Sequence, residues 1–461
     1  MKQFDPVPTP RQLVWHKLKF YGFIHFTVNT FTDLEWGYGD EPESIFNPTE
    51  LDCRQWARVA SEAGMRGLIL TAKHHDGFCL WPSPYTEHSV KNSPWKNGKG
   101  NVVREFVDAC REYDLEAGFY LSPWDRNHAE YGSPAYVEYY RKQLLELLTG
   151  YGPLFEFWFD GANGGDGYYG GARETRKIDA TRYYDFPELW DLVRTHQPGT
   201  CMFSDAGPDI RWCGNEAGVM PLTSWAKIHG EGFAPGRVDA ADGQTRLGTG
   251  DPDGEFWRGV EVDISMRPGW FWHESEPPRS LEELKAVYHS SIERGGNLLL
   301  NLAPDNRGLI PDADIERLRE FSAFMKECES GDVAHEMEVE ADSTAGTDWA
   351  ATNLVDGSEE TAWAAEEGVH KARITLAFPE GKGRRINAVR LEEFIELGQR
   401  VESFKISVCS AWGQEIEMYR GSTVGPLTVA RFPNVHAEAV HIDLTARAAP
   451  VLRRVGVHVV K

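Results

Sequence analysis

Residues 67–78 read Gly67-Leu68-Ile69-Leu70-Thr71-Ala72-Lys73-His74-His75-Asp76-Gly77-Phe78. A short apolar run that ends in a burst of polar groups is how a parallel strand covered on both faces looks, with chemistry gathered at its carboxyl end. Just before it, Trp56, Val59, Ala60 and Ala63 recur at i, i+3, i+4 and i+7 in Asp52–Ala63, the stripe of an amphipathic helix. The same alternation runs outward from there. Strands are predicted over Phe20–Phe26, Gly67–His74, Glu116–Leu121, Leu154–Phe159, Thr200–Ser204, Val260–Met266 and Asn297–Leu302, with a sixth barrel strand at Thr223–Ile228. Helices are predicted over Val102–Tyr113, Pro134–Thr149, Ala180–Thr195, Ser280–Glu293 and Asp312–Lys326; Ser280 and Glu283 have capping-box spacing. This pattern predicts an α/β fold, a (β/α)8-like TIM barrel, regular or irregular, with a doubly wound sheet as the alternative. Two Gly- and Asp-rich stretches, Asn163–Arg173 and Gly230–Gly254, interrupt it. Both are read as long loops following strands, on the face where barrel active sites form.

Past Gly331 the texture changes to short alternating strands, Ala388–Glu392, Phe404–Cys409, Ala439–Asp443 and Val455–Val459, with little helix. The expected organisation is a catalytic barrel over 1–330 and an all-β sandwich over 331–461. The net charge of −23 repels phosphate backbones and anionic lipid, so nucleic-acid and membrane partners are not expected, and a neutral substrate is. Seven cysteines, odd in number and without metal-like spacing, read as buried free thiols of a reducing compartment. The segment MKQFDPVPTPRQLVWHKL has neither a long apolar run nor a small-residue cleavage site. The default location is therefore cytoplasmic, or secreted or periplasmic if a leader has been removed. The oligomeric state stays open.

In a barrel, the polar residues past each strand converge on one mouth: His25, His74, His75, Asp76, Tyr120, Trp124, Asp125, Asp160 and Asp205. Asp160 ends the run Phe155-Glu156-Phe157-Trp158-Phe159 and precedes Gly161, which permits close approach. It is a nucleophile candidate, with a helix cap as the bland alternative. His74 and His75 suit vicinal hydroxyls, since neutral imidazole donates and accepts. A metal centre of His25, His74, His75 and Asp160 is the rival; adjacent strand residues should point to opposite faces, and no H-x-H or H-E-x-x-H pattern occurs, so no metal is assigned. A retaining glycosidase needs a second carboxyl about 5 to 5.5 Å from the first. Glu216, in Asp209-Ile210-Arg211-Trp212-Cys213-Gly214-Asn215-Glu216-Ala217-Gly218, is that candidate, with a salt bridge to Arg211 as its structural alternative and Glu231, Glu255 and Glu261 in reserve. Partial burial, with Trp212 as shield, would keep it protonated. Trp270 and Trp272 would share one face of an extended segment, able to stack on a pyranose or to fill a core.

These blocks together resemble glycoside hydrolase family 29, the α-L-fucosidases, over roughly residues 14–325. The resemblance rests on Phe23-Ile24-His25-Phe26, Glu35-Trp36, the 70–78 block, Gly118-Phe119-Tyr120-Leu121-Ser122-Pro123-Trp124-Asp125, Trp158-Phe159-Asp160-Gly161-Ala162 and 211–218, in that order. It implies Asp160 as nucleophile and His25, Glu35, Trp36, His74, His75 and Tyr120 as residues that grip the fucose hydroxyls. The 56 positions from 160 to 216 are consistent with the subfamily that cleaves α-1,3/1,4-linked fucose. It implies a fucosylated oligosaccharide or glycoconjugate as partner and no cofactor. Beside it stand a non-catalytic fucose lectin and a metal-dependent barrel hydrolase. Asn353-Leu354-Val355-Asp356-Gly357, with Thr361 and Trp363, resembles the signature of discoidin-like, carbohydrate-binding-module-like sandwiches.

Overall fold

The computed structural model describes residues 1–459, apart from 172, 235–236 and 239–242. Eight parallel strands close into a barrel in chain order: Phe20–Ile24, Gly67–Lys73, Glu116–Leu121, Glu156–Trp158, Cys201–Phe203, Ile210–Trp212, Gly259–Ser265 and Asn297–Leu302. Closure is explicit at Gly22, which faces Leu68 of the second strand and Leu300 of the eighth. A Cβ at Gly22 would lie 2.6 Å from the Leu68 side chain and 2.8 Å from Met65 Sδ, so the bare backbone is what lets the helix–strand layers meet here. The first, second, seventh and eighth strands are buried at every residue, as strands covered by helices outside and packed side chains inside must be.

The helical layer follows the predicted stripes. In Cys53–Glu62 the buried residues are Cys53, Trp56, Ala57, Val59 and Ala60, and Asp52 caps the helix by accepting from Arg54 N. Ser280 and Glu283 form the expected capping box at the start of Leu281–Ser290. The predicted helix over Ala180–Thr195 is two, Ala180–Tyr183 and Phe186–His196. Asp185 between them is left-handed at φ 51°, and Pro187, with no N–H to donate, sits in the first turn of the new helix rather than inside a continuous one. Helix Pro10–Leu18 lies at the amino-terminal end of the barrel, where Trp15 joins Tyr21, Phe155 and Ile210 in an inner cluster.

The sixth strand departs from expectation. It is Ile210–Trp212, not Thr223–Ile228. Only residues 204–209 separate it from the fifth strand, with no intervening helix, so the βα rhythm that identified the others is absent. Lys227–Ile228 pairs instead with Phe256–Trp257 in a two-stranded ribbon. The Gly230–Gly254 stretch also differs. Residues 235–236 and 239–242 of it lie outside the described residues, but the rest includes helix Gly243–Thr249, and Asp253 pairs with Arg447 of the sandwich. No described residue of it lines the cavity at the barrel mouth. Asn163–Arg173, of which residue 172 is not described, does lie at the mouth: Gly165–Gly167 pairs with Glu174–Arg176, and Tyr169 accepts from Trp124 Nε1 at 2.8 Å.

After helix Asp312–Ser330 come two antiparallel sheets. One orders Glu338–Ala341, Lys371–Ala377, Ala439–Ala446, Val401–Cys409 and Glu415–Gly421; the other orders Trp363–Ala364, Val451–His458, Arg384–Glu393 and Thr428–Ala437. Their inward residues form one core around Trp363, Ile374, Ile406 and Ile442. The signature residues hold this unit together. Asn353 Nδ2 donates to Asp348 O and Ala362 O, Thr361 donates to Asp356 at 2.7 Å, and the buried Trp363 indole donates to Ser343 O. The sandwich docks on the barrel flank through Arg431 on Glu293 and Gln399 on Ala226 N. Six cysteines are buried; Cys409, on the sandwich, is half-buried rather than buried. Among the described residues, no helix is long and apolar enough to cross a membrane.

Candidate active site

The mouth of the barrel encloses a cavity of about 520 Å³. Its floor is aromatic: Trp158 stacks on Phe203 with ring centroids 4.1 Å apart and leans on Tyr120 at 5.4 Å, and Phe23 packs against both Trp158 and Tyr120. Strand alternation explains the floor, because these residues point inward from the ends of the first, third, fourth and fifth strands.

Asp160 stands two residues past the fourth strand, and both its oxygens are engaged. Oδ2 accepts from Tyr120 OH at 2.8 Å and Oδ1 from Ala162 N at 2.7 Å. It caps no helix; the Ala162 bond is a local turn that fixes its direction. Burial raises its pKa, and those two donors pull it back. His75 Nε2 lies 3.8 Å from Oδ2.

The imidazoles are set by their far nitrogens. His25 Nδ1 donates to Asn301 Oδ1 at 2.8 Å. His75 Nδ1 contacts Ser122 Oγ at 2.7 Å, and since Ser122 itself donates to Trp124 O, the ring must donate there. Nε2 of each is then left as an acceptor. Burial depresses both to about 3, and His74 well below its ordinary value, so all three are neutral. His74 and His75 both line the cavity, with ring centroids 4.2 Å apart. The expectation of opposite faces fails because the strand ends at Lys73 and the alternation ends with it. Among the described residues, no group of three or more His, Cys, Asp or Glu is arranged to hold a metal ion.

Glu216 lines the same cavity from the loop after the sixth strand. It is exposed at the rim, with Trp270 Nε1 3.3 Å from its Oε2. Partial desolvation under this cover raises its pKa; the indole bond lowers it, and the charges of Asp160 and Glu35 raise it further. Arg211 does not pair with it, because that guanidinium is spent on the carbonyls of Leu247, Arg258 and Trp225. Trp212 lines the cavity too, but its indole donates to Asp263 at 2.7 Å. The reserve acids are elsewhere: Glu255 lies 3.7 Å from His229, Arg246 donates to the Glu231 carbonyl, and Glu261 is buried beneath the floor, accepting from Trp158 at 2.7 Å. Two carboxyls that the sequence reading left unassigned, Asp205 and Asp263, also line the hollow. Asp263 follows Glu261 at an inward i, i+2 spacing, a signal that was available.

Glu35 lines the cavity and also clasps the opposite wall. Its oxygens accept from Trp270 N, Phe271 N and His273 Nε2 at 2.8, 3.1 and 2.7 Å. The main chain from Met266 to Phe271 is thereby bent, not extended. Trp270 therefore reaches the cavity, and Trp272, expected beside it, does not. Trp36 stands half-exposed at the rim, edge-on to His75 and Trp124 at 5.2 and 5.6 Å.

Comparison with known proteins agrees with this geometry. Residues 11–329 match the family model described as alpha-L-fucosidase, and 338–455 match that of the F5/8 type C domain. Alpha-L-fucosidase 1 of Arabidopsis thaliana is 39% identical over 99% of this chain and 88% of its own. Among solved structures, a glycoside hydrolase 29 family member from an unknown rumen bacterium is 42% identical, with a TM-score of 0.87 over 100% of this chain and 78% of its own. A Ruminococcus gnavus GH29 fucosidase in complex with fucose is 29% identical, with a TM-score of 0.89 over 100% of this chain and 96% of its own. With its closed barrel, its aromatic-floored cavity and a matching family model over 319 residues (11 to 329), this chain belongs to the glycoside hydrolase family 29 α-L-fucosidases, and carries an F5/8 type C domain behind the catalytic barrel.

Proposed function

We propose that this protein is a retaining exo-α-L-fucosidase that removes terminal α-1,3/1,4-linked L-fucose from branched glycans by double displacement. One observation carries the reading: a locked carboxylate on the floor and a carboxyl of raised pKa on the rim share a single hollow. In the first step Asp160 attacks the anomeric carbon as Glu216 passes its proton to the leaving oxygen, leaving a β-fucosyl ester. In the second, Glu216 takes a proton from water, which opens the ester.

The other residues supply grip. Neutral His25, His74 and His75 offer hydrogen bonds to hydroxyls without competing for the charge on Asp160. The Phe23, Trp158 and Phe203 floor offers an apolar wall to a deoxyhexose, and blocks passage of a longer chain, which supports exo action. The linkage preference is supported by the spacing of 160 and 216.

Proton NMR of the first-formed sugar tests this. Hydrolysis of a fucosylated trisaccharide should release α-L-fucose first, with the β anomer growing in later by mutarotation. Release of the β anomer first would exclude double displacement, and binding without release would favour the lectin.

A further inference from the structure

Asp205, like Glu35 and Asp263, is a carboxyl of the cavity that a two-carboxyl mechanism leaves unused. It stands two residues past the fifth strand and lines the same hollow as Asp160. Its head group lies over the bare Cα of Gly161, the residue that follows Asp160. A Cβ at that position would sit 2.2 Å from Asp205 Oδ2 and 2.5 Å from Oδ1, so a glycine there is what admits the carboxyl to this spot.

The surrounding bonds show why it is free for other work. Asp160 has both oxygens engaged, and Asp263 accepts from Trp212. Asp205 is held by its main chain, its carbonyl accepting from Trp212 N at 3.1 Å. Among the described residues, no other side chain donates to its carboxyl; the donor that reaches it is its own N–H. Burial and the neighbouring Asp160 push its pKa up to about 7. At mildly acid pH it is therefore a neutral acid with an O–H to give, beside Asp160. Among the described residues the cavity offers its half-buried carboxyl no side-chain donor, which leaves it open to a ligand.

Resting on the fucosidase reading above, we infer that Asp205 is a further substrate-binding residue of this reaction, a carboxylic acid that donates its O–H to a hydroxyl of the bound fucose on the Asp160 side of the ring. It moves no proton in the reaction and contacts no aglycone.

The test uses Asp205→Ala and Asp205→Asn in the full chain, assayed beside wild type on an aryl α-L-fucoside and a fucosylated trisaccharide, with pH profiles of kcat/KM. Loss of one hydrogen bond to the sugar should cost Asp205→Ala roughly 10- to 100-fold in kcat/KM. The loss should be equal on both substrates, because the contact is to the sugar common to them. Asp205→Asn, whose amide donates at every pH, should recover most of that loss and flatten the profile near pH 7 by removing the part of the fall that Asp205 causes, while the Glu216 limb stays in both enzymes. The inference is overturned by an Asp205→Ala enzyme of wild-type efficiency, by an Asn variant as damaged as Ala, or by an Asn profile that superimposes on the wild-type one near pH 7. If the Ala variant melts too low to assay, the Asn profile decides alone. An inert wild type would instead sink the fucosidase reading, so the two failures are distinguishable.

Discussion

Asp160 and Glu216 face one cavity from opposite kinds of support. The first stands at the end of a barrel strand with both oxygens engaged, by Tyr120 and by the main chain at Ala162. The second sits on a rim loop, exposed, with one indole 3.3 Å away. In the proposed mechanism Asp160 is the nucleophile and must be charged and aimed before substrate arrives, so a fixed mount suits it. A proton donor must serve leaving groups of different shape and then turn to water, so a looser mount does. The proposed mechanism sets the protonation states: it requires Asp160 ionised and Glu216 protonated, so activity should fall below the pKa of the first and above that of the second. Burial raises Asp160 and moves the acid limb upward; desolvation raises Glu216 and carries the alkaline limb upward.

Three substitutions press on this contrast. Asp160→Ala has the largest expected effect, a loss in kcat of about 10⁴- to 10⁶-fold on every substrate, with azide restoring turnover as β-fucosyl azide. Glu216→Ala comes next and should be selective: roughly 10²- to 10⁴-fold loss on a natural trisaccharide, far less on an aryl fucoside whose leaving group needs no proton. Equal loss on both would remove Glu216 from proton transfer. Trp270→Phe is smallest, a few-fold in kcat/KM. It keeps the ring that covers Glu216 but removes the N–H that favours its charged form, so the alkaline limb should move to higher pH. A limb that moves down would mean the indole does not act on this carboxyl.

The same contrast separates what could be read from sequence. Seven of the eight barrel strands were legible because each carries an apolar run and ends in groups such as His74 or Asp160. The sixth was not. Arg211, the middle residue of its three, points away from the mouth and is consumed by three carbonyls of the following segment, and no helix precedes the strand. Asp160 was legible from its place after Phe159, and so was the convergence of His25, Tyr120 and the His74–His75 pair. The Trp270 wall was only half legible: its bend is imposed by Glu35, 235 positions away, and a local period-2 argument cannot see that contact. For the same reason Trp272 was placed at the cavity and is not there. Gly230–Gly254 was expected at the mouth because it follows a strand, but the described part runs along the flank to Arg447.

Among the described residues, five carboxyls line this hollow: Glu35, Asp160, Asp205, Glu216 and Asp263. In the proposed mechanism Asp160 alone of these forms a covalent bond to the sugar. Trapping the enzyme with a 2-deoxy-2-fluoro-L-fucosyl fluoride and sequencing the labelled peptide by mass spectrometry tests that most directly. One fluorofucosyl group per chain is expected, on Asp160, with inactivation and labelling proceeding together. A label on Asp205, Glu216 or Asp263 would contradict it.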